Sequence, residues 1–366
     1  MSLELVTAGE SHGPALVAIV SGLPAGLRLD RAAIDDDLRR RREGYGRSPR
    51  QKLEHDEVEV FAGLRHGMTL GTPLALVIRN RDHGNWEWGM SPWAPDGKPT
   101  GKGTAPVTLA RPGHADLAGA LKFGHEDVRN ALERASARQT AVHVAAGAVA
   151  KALLREIGIA VAGRALEIGG ETTEDGWKRA TEAARGDRDT LGGIVEVFAD
   201  GVPPGLGSYA EKGDRLDARL AAALMGIQAV KGVEIGGGFA LALMRGSDVH
   251  DEIEPGLRRE TNRAGGIEGG VTNGESVVVR AAMKPLPTLM RPLRSVDLAT
   301  GEPGEALVER SDVQAVEALA VVAEAAVAWE LARAAREKYG GDALGDFVAA
   351  HRAYLVRIAW PRSSVR

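Results

Sequence analysis

Two distant segments of the chain share one pattern of strand, turn and helix, and both turns read Gly-x-Pro-x-Gly-Leu. Strand, turn and helix are predicted at 17–20, 22–27 and 31–42 in the first segment and at 194–198, 201–206 and 214–227 in the second. A repeated unit of this size predicts an internal duplication, with halves of roughly 1–160 and 161–366. Chance similarity between two unrelated strand–turn–helix units is the alternative.

The rest of the chain mixes strands and helices without strict alternation. Further strands are predicted at 57–61, 73–78, 159–166 and 277–283, and further helices at 137–157, 313–338 and 344–358. Such a mixture favours an α+β fold over a doubly wound sheet. No low-complexity linker divides the sequence, so we expect a single large domain over 1–366. The polar, glycine- and proline-rich stretch 80–103 is predicted to be a long loop.

Composition limits the partners and the chemistry. Hydrophobic residues make up 44% of the chain but aromatic residues only 4%, so the core should consist of Ala, Val, Leu and Ile. The net charge of −4 argues against a general binder of polyanions, so any anion must be held by a local cluster. Without cysteine, disulfides and thiolate metal sites are excluded. No secretory pattern or membrane-spanning stretch is found, so a cytoplasmic protein is expected.

Residues 39–50 form the clearest cationic cluster. Four consecutive arginines, Arg39–Arg42, lead into a Gly-x-Gly loop that carries Arg47 and Arg50. Arginines at the end of a helix are commonly a solvated surface. A loop that folds back would instead gather several guanidinium groups, which match the oxygens of phosphate and carboxylate. The second interpretation predicts a site for a small substrate with more than one anionic group.

His12 and His114 differ from the other histidines because each lies beside a glycine. Their sequences, Ser-His-Gly and Gly-His-Ala, are typical of tight turns. Most histidines are structural or lie on the surface, and that interpretation stays open for both. A histidine that titrates near neutral pH is also a natural proton donor to a leaving phosphate or to a developing anion. The two are therefore candidates for proton transfer.

Three other segments are weaker candidates. The backbone amides at Ser136, at the predicted start of helix 137–157, could bind an anion, or the segment could be a plain helix start. Two prolines stiffen the loop Lys284–Thr288 after a predicted strand, and the glycine-rich stretch 265–270 allows close approach of the backbone to a ligand. Asp312 precedes a predicted helix, where it could be a simple N-cap.

Together these segments resemble the chorismate synthase family, from about Leu5 to the C-terminal helices. Five segments carry the resemblance in order: 9–13 (Gly-Glu-Ser-His-Gly), 111–116 (Arg-Pro-Gly-His-Ala-Asp), 133–138 (Glu-Arg-Ala-Ser-Ala-Arg), 283–288 (Met-Lys-Pro-Leu-Pro-Thr) and 309–312 (Glu-Arg-Ser-Asp). Five ordered matches are much more specific than any one glycine motif. The resemblance implies a β-α-β sandwich with internal pseudo-twofold symmetry, in agreement with the predicted duplication, and a homotetramer.

The resemblance also implies a reaction, the last common step of aromatic amino acid biosynthesis in the shikimate pathway. There, 5-enolpyruvylshikimate 3-phosphate loses phosphate and a C6 hydrogen in an anti 1,4-elimination that gives chorismate. The family requires reduced FMN (FMNH2) although the reaction has no net redox change. No additional domain suggests a built-in flavin reductase, so a separate reductase or reductant is expected.

The family's functional residues carry over to this sequence by position. His12 is similar to the histidine beside the leaving phosphate, His114 to the one near flavin N1, and Asp312 to the carboxylate near flavin N5 that helps this nitrogen take the C6 hydrogen as a proton. Substrate oxygens are assigned to Arg41, Arg47, Arg50, Arg111 and Arg138; family arginines similar to Arg41 and Arg47 are also linked to NADP. FMN contacts are assigned to Arg134, Ala135, Ser136, Gln228, Ala229, Gly269, Lys284, Pro285, Leu286, Pro287, Thr288 and Arg310.

Two positions depart from the family pattern. Ala135 stands where many relatives have serine, and Gln228 where others have asparagine.

Two other functions are alternatives. A metal-dependent phosphate-ester hydrolase could use His12, His114 and Asp116, but the sequence has no dense cluster of metal ligands. A nucleic-acid binder could use residues 39–50, but the acidic overall balance opposes it.

Overall fold

Two four-stranded antiparallel sheets frame the fold. The computed structural model describes residues 2–47, 55–308 and 312–359. One sheet has the strand order β1-β2-β6-β3 and the other β7-β8-β12-β9, and three short hairpins pair β4 with β5, β10 with β11 and β13 with β14. The strands are β1 (Glu4–Ala8), β2 (Ala15–Ser21), β3 (Glu59–Ala62), β4 (Leu64–Arg65), β5 (Met68–Thr69), β6 (Leu74–Arg79), β7 (Ala160–Ile168), β8 (Gly193–Asp200), β9 (Val230–Ile235), β10 (Ile267–Glu268), β11 (Val271–Thr272), β12 (Val277–Met283), β13 (Arg294–Val296) and β14 (Pro303–Glu305).

The described residues contain nine α-helices. They are α1 (Arg31–Arg42), α2 (Asp116–Phe123), α3 (Arg129–Ala135), α4 (Thr140–Arg155), α5 (Glu174–Gly186), α6 (Leu216–Met225), α7 (Gly246–Val249), α8 (Val316–Tyr339) and α9 (Leu344–Ile358). Short 3-10 turns lie at 81–85, 137–139, 212–214 and 238–243. None of these helices is long and apolar enough to cross a membrane.

The two apolar helices α4 and α8 pack against each other between the sheets. α4 contacts β2 and β6 of the first sheet, and α8 contacts β7 and β8 of the second. The helices approach closely because Gly147 of α4 faces Ala325 of α8, where a Cβ on the glycine would lie 2.3 Å from the alanine Cβ. This layer of small residues forms the centre of the core and confirms the predicted α+β sandwich.

The repeated turn is built the same way in both halves. In the first half, the buried Thr69 hydroxyl donates to Pro24 O (2.6 Å) and accepts from Leu27 N (2.9 Å). In the second, the Thr272 hydroxyl donates to Pro203 O (2.7 Å) and accepts from Leu206 N (2.8 Å). The two sheets also have corresponding strand orders. Chance similarity of local units does not account for this match, so the structure agrees with an internal duplication.

These two threonines give a matched test of the duplication. Thr69→Val and Thr272→Val should each lower the free energy of unfolding by about 1–3 kcal/mol, because each leaves a buried backbone N–H and a carbonyl without their partner. The losses should be similar to each other. Thr172→Val, at an exposed position, serves as the control and should change little. Chemical denaturation measures all three, and strongly unequal losses at Thr69 and Thr272 would contradict equivalent roles.

Most predicted elements are present, with shifted ends. Helix 31–42 is found as predicted, the helix predicted at 214–227 is α6 (Leu216–Met225), and the C-terminal helices are α8 and α9. The helix predicted at 137–157 begins later, because residues 137–139 form a 3-10 turn before α4. Helices α2, α3, α5 and α7 were not predicted. The stretch 80–103 is a loop except for its first 3-10 turn.

Candidate active site

One cavity of about 580 Å3 collects most of the predicted site residues. Its lining comes from chain segments that lie far apart in sequence. They are the turn after β1 (11–12), the end of α1 and the loop that follows (41, 47), the loop before α2 (111–115), the α3–α4 junction (132–140), the turn before β9 (227–231), the loop after β12 (283–288) and the first part of α8 with the loop before it (312–322).

The structure brings together predicted catalytic, substrate and flavin residues. Those that line the cavity are His12, Arg41, Arg47, Arg111, His114, Ala135, Ser136, Arg138, Gln228, Ala229, Lys284, Leu286, Pro287, Thr288 and Asp312. Arg134, Pro285 and Gly269 are not among the lining residues. Arg50 and Arg310 lie outside the described residues.

The arginines at the end of α1 point in different directions, because successive residues of a helix are about 100° apart. Arg39 pairs at the surface with Asp36 and Glu43. Arg40 pairs with Glu324 of α8 (Nη2–Oε2, 2.8 Å), which also binds Lys151. Arg41 is buried and lines the cavity. The solvated interpretation therefore holds for Arg39 and is wrong for Arg41.

Arg41 and Arg138 share one buried carboxylate, Asp56. Arg138 Nη1 lies 2.7 Å from Asp56 Oδ1, and Arg41 Nη1 lies 3.6 Å from Asp56 Oδ2. Arg41 Nε also donates to Thr140 Oγ1 (2.7 Å). Burial lowers the pKa of Arg41 to about 10, with Asp56 opposing the shift and Arg138 adding to it. Arg41 therefore keeps its charge at neutral pH, in a place where water screens it poorly.

Arg47 forms an ion pair with Asp312 across the cavity wall, with 2.9 Å between Nη1 and Oδ2. Burial lowers the pKa of Arg47, and Asp312 counters that shift. The N-cap of α8 is Ala315. The interpretation of Asp312 as a simple cap of this helix is therefore wrong, and its carboxylate instead lies beside an arginine on the cavity.

His12 is almost enclosed by two partners. Its Nδ1 lies 2.9 and 3.0 Å from the two carboxylate oxygens of Glu133, and its backbone N–H donates to Glu133 Oε2 (2.9 Å). The imidazole also stacks on Trp86, with 4.0 Å between ring centroids. Burial alone would raise the pKa of Glu133, but the hydrogen bonds from His12 hold it below its ordinary value. Glu133 is therefore ionised at neutral pH.

His114 and Arg111 are organised by Asp116. Arg111 Nε donates to Asp116 Oδ2 (2.8 Å), and His114 Nδ1 makes a short hydrogen bond with Asp116 Oδ1. Arg111 also reaches Thr288 Oγ1 (3.2 Å). Burial would raise the pKa of Asp116, but His114 and Arg111 together depress it far below its usual range. Asp116 is therefore ionised at neutral pH and contacts both His114 and Arg111.

The depressed pKa of Asp116 makes a prediction for stability against pH. Since the folded pKa lies below the unfolded value near 3.8, the contribution of Asp116 is fully present above about pH 4 and is lost as pH falls through the folded pKa. Asp116→Asn should flatten the fall in unfolding free energy between pH 4 and the acid limit. Denaturant unfolding at a series of pH values measures this slope, and an unchanged slope would contradict the assignment.

Part of the cavity lining is apolar. Leu286 and Pro287 come from the loop after β12, and α8 and the residues before it contribute Ala315, Ala318, Leu319 and Val322. Ala229 has a positive φ of 69°, a left-handed conformation unusual for alanine. Its carbonyl accepts from Lys284 N (3.0 Å), which joins the two predicted flavin segments.

Arg134 lies outside the cavity lining and binds the end of β1. Its guanidinium donates to Thr7 O (3.1 Å), Thr7 Oγ1 (2.9 Å) and Gly9 O (3.2 Å). It thereby ties α3 to the end of β1, next to the His12 turn. Gly269 lies in the β10–β11 hairpin, which pairs with the repeated turn of the second half through Thr272 and Leu206.

Several residues that contact the predicted arginines and histidines were not predicted from the sequence. Asp56, Glu133, Trp86 and Thr140 hold the predicted arginines and histidines in place. A carboxylate that pairs with a distant arginine has no local signature. Ser136 was predicted to start a long helix, but its hydroxyl instead accepts from Arg138 N (3.3 Å) in the 3-10 turn and donates to Ser11 Oγ (3.2 Å).

Comparison with known proteins agrees with this geometry. The family model of chorismate synthase matches residues 3–335. This chain is similar to the chorismate synthase of Desulforudis audaxviator (53% identity, over 97% of this chain and 98% of the relative). It is also similar to that of Caldanaerobacter subterraneus (50% identity, over 97% of this chain and 99% of the relative).

The chain belongs to the chorismate synthase family. A crystal structure of a chorismate synthase superposes with a TM-score of 0.75 at 36% identity, covering 98% of this chain and 99% of that one. Chorismate synthases are carbon–oxygen lyases that act on phosphates, and the chain is therefore an enzyme of this class in the shikimate pathway.

The chorismate synthase fold also bears on the hydrolase alternative. Across residues 2–47, 55–308 and 312–359, no three His, Cys, Asp or Glu side chains come together in a way that could hold a metal ion. His12 pairs with Glu133 and His114 with Asp116. Each histidine thus pairs with a carboxylate of its own.

Proposed function

We propose that the chain converts 5-enolpyruvylshikimate 3-phosphate to chorismate by an anti 1,4-elimination of phosphate. One C–O bond to phosphate and the C6–H bond break, two electrons of the C6–H bond enter the new π system, and no net oxidation occurs. Family membership supports the reaction class. The observation that carries the proposal is that two carboxylate-paired histidines and four arginines line one cavity.

The arginines are proposed to bind the substrate's anionic groups. Arg41 and Arg138 lie side by side over Asp56, and Arg111 is fixed by Asp116 on another segment of the lining. Guanidinium groups bind phosphate and carboxylate with two parallel hydrogen bonds, and their partial burial strengthens that attraction. Arg47 completes the set, and its ion pair with Asp312 is the one that a substrate anion would compete for.

Two histidines and one aspartate are proposed as the groups that hold or move protons. His12 would protonate the departing phosphate. His114, beside the ionised Asp116, would present a positive edge to a developing negative charge. Asp312, which lines the cavity, would help flavin N5 to take the C6 hydrogen as a proton, as the resemblance to the family implies.

The lining fits a flavin cofactor in its chemistry. A ring system with a phosphate tail needs apolar surface and hydrogen-bond donors, and the cavity offers both: Leu286, Pro287, Leu319 and Val322 on one hand, and Ser136, Lys284 and Thr288 on the other. Bound reduced FMN would supply an electron-rich ring that assists loss of phosphate and is unchanged after the cycle. Ala135 offers no hydroxyl, so Ser136 is the serine available at this junction.

Other properties of the family remain predictions for this chain. These are binding of NADP near Arg41 and Arg47, a homotetramer, a cytoplasmic location and a separate supply of reduced flavin.

An anaerobic assay tests the proposed function. The enzyme is mixed with 5-enolpyruvylshikimate 3-phosphate and chemically reduced FMN, and chorismate and inorganic phosphate are measured together. We expect equal amounts of both, no product with flavin omitted, and no effect of a chelator. Release of phosphate without chorismate, independent of flavin and blocked by the chelator, would instead show a metal-dependent hydrolase.

A further inference from the structure

The surroundings of His12 contain two residues that the proposed chemistry has not yet used. Glu133 on α3 holds Nδ1, and Trp86 in the 80–103 loop covers one face of the ring. Both are nearly fully buried, with 1% of the Glu133 side chain and 8% of Trp86 exposed. A buried carboxylate against a cavity histidine is costly unless it is paired, so the arrangement calls for an explanation.

Glu133 fixes which nitrogen of His12 can act. Its two oxygens lie within 3.0 Å of Nδ1, and it also accepts the backbone N–H of His12 (2.9 Å). An ionised carboxylate is only an acceptor, so Nδ1 must carry a proton in both charge states of the ring. The remaining nitrogen, Nε2, is the one available to a ligand in the cavity that His12 lines.

Trp86 limits rotation of the same ring. The two ring planes are 21° from parallel with centroids 4.0 Å apart. Trp86 is itself anchored, because its indole N–H donates to Asp82 Oδ2 (2.9 Å). Stacking and the carboxylate therefore hold the imidazole in one orientation.

Other charged groups lie around this cluster. Arg129 lies over Trp86 (5.1 Å from guanidinium carbon to ring centroid) with Nη1 3.6 Å from Glu133 Oε1. His83 Nδ1 contacts the His12 carbonyl (3.0 Å), and Lys102 Nζ lies 5.8 Å from the Trp86 centroid. Arg129 and Lys102 thus interact with Trp86 or Glu133, while Glu133 is the group that contacts the imidazole nitrogen.

We propose that Glu133 and Trp86 are positioning residues that hold His12 as a proton donor through Nε2, an inference that rests on the proposed role of His12. When Nε2 gives its proton to a phosphate oxygen, the C–O bond of the leaving group breaks and the imidazole becomes neutral. Nδ1 keeps its proton against Glu133 throughout. A proton from solvent at Nε2 then restores the imidazolium for the next cycle.

Nitrogen NMR of the protein labelled at histidine tests this directly. The His12 signal is identified by its loss in His12→Ala. In the unsubstituted protein we expect the neutral ring to carry its proton on Nδ1. This is the less common tautomer of histidine, so observing it would support the proposal without a further substitution. A neutral ring with its proton on Nε2 would overturn the proposal, whatever the substituted proteins do.

Two substitutions measure the size of the effect. In Glu133→Gln, the neutral ring should no longer be confined to the tautomer with its proton on Nδ1, because a neutral amide can donate to Nδ1 as well as accept from it. Trp86→Leu should keep this tautomer, because Glu133 is still present, but it should remove the stacking that limits rotation of the ring. In the chorismate assay both variants should lower kcat, Glu133→Gln by more, while KM stays close to its original value.

Glu196→Gln is the matched control. Glu196 is also buried, bound to two arginines (Arg164 and Arg280) and held below its ordinary pKa by their hydrogen bonds against the effect of burial, but it lies on the second sheet. It should leave the tautomer of His12 and kcat unchanged. A neutral His12 ring that stays confined to the Nδ1-protonated tautomer in Glu133→Gln, with kcat unchanged, would also overturn the proposal. If the unsubstituted protein makes no chorismate, the proposed function fails while the NMR result still decides this inference.

Discussion

Replacing His12 by alanine should lower kcat for chorismate formation by about 10²- to 10⁴-fold, the range for loss of a positioned general acid. KM should change much less, because the anionic groups of the substrate would still meet Arg41, Arg111 and Arg138 on the cavity lining. Anaerobic steady-state kinetics with reduced FMN separate the two constants. A rise in KM with kcat unchanged would mean that His12 only binds the phosphate.

The control for this substitution is another histidine. His250 is exposed and is not among the residues that line the cavity, so His250→Ala should retain full kcat. His12→Ala removes a partner of the buried Glu133 but keeps the backbone bond from residue 12 to Glu133, so circular dichroism of the variant must match that of the unsubstituted protein before kcat is compared. A loss of kcat below about tenfold would contradict the general-acid role, since proton transfer by a positioned side chain contributes more than that.

The fold was largely predictable from the sequence because its strongest signals are local. The turn motifs at 22–27 and 201–206 encode a left-handed backbone at glycines, as φ values of 83° at Gly22 and 74° at Gly201 show. The flanking apolar periodicities set the strand and the helix. Helix α5 (Glu174–Gly186) was missed although Thr173 caps it with a bond to Gly176 N (3.1 Å), a start signal that the sequence analysis did not use.

The site was predictable only for residues that stand out by their type and their local sequence motif. Clustered arginines and histidines next to glycines are recognisable in the sequence, and His12, His114, Arg41 and Arg138 line one cavity. Their partners are not recognisable in the sequence, because Asp56 contacts Arg138 from a segment far away in the chain. Neither periodicity nor composition encodes such a contact.

The division between outward and inward arginines was equally hidden. Arg40 and Arg41 are neighbours in sequence, yet one binds Glu324 in the sandwich and the other faces the cavity. The helix period gives the angle between them but not which of the four faces inward. That choice depends on where α8 and the α3–α4 junction lie, and these positions are fixed only by the packed core.

Removing Asp56 should destabilise the protein by about 3–5 kcal/mol, the cost of leaving a buried charge without its counter-ion. Asp56→Ala would leave the guanidinium groups of Arg41 and Arg138 facing each other in a buried place. Because burial already lowers the folded pKa of Arg41 below its ordinary value, the cation opposes folding at neutral pH, and Asp56 offsets part of that cost. Asp175→Ala, where 87% of the side chain is exposed, should change stability by little.

The same substitution tests whether this pair of arginines is an anion site. Inorganic phosphate between Arg41 and Arg138 would restore the missing negative charge, and a ligand that binds the folded state alone raises its stability. Phosphate should therefore raise the melting temperature of Asp56→Ala by more than that of the unsubstituted protein, and Asp56→Asn should behave similarly with a smaller initial loss. If phosphate stabilises all three proteins equally, the two arginines do not form the anion site, and the substrate's phosphate must be held by Arg47 or Arg111 instead.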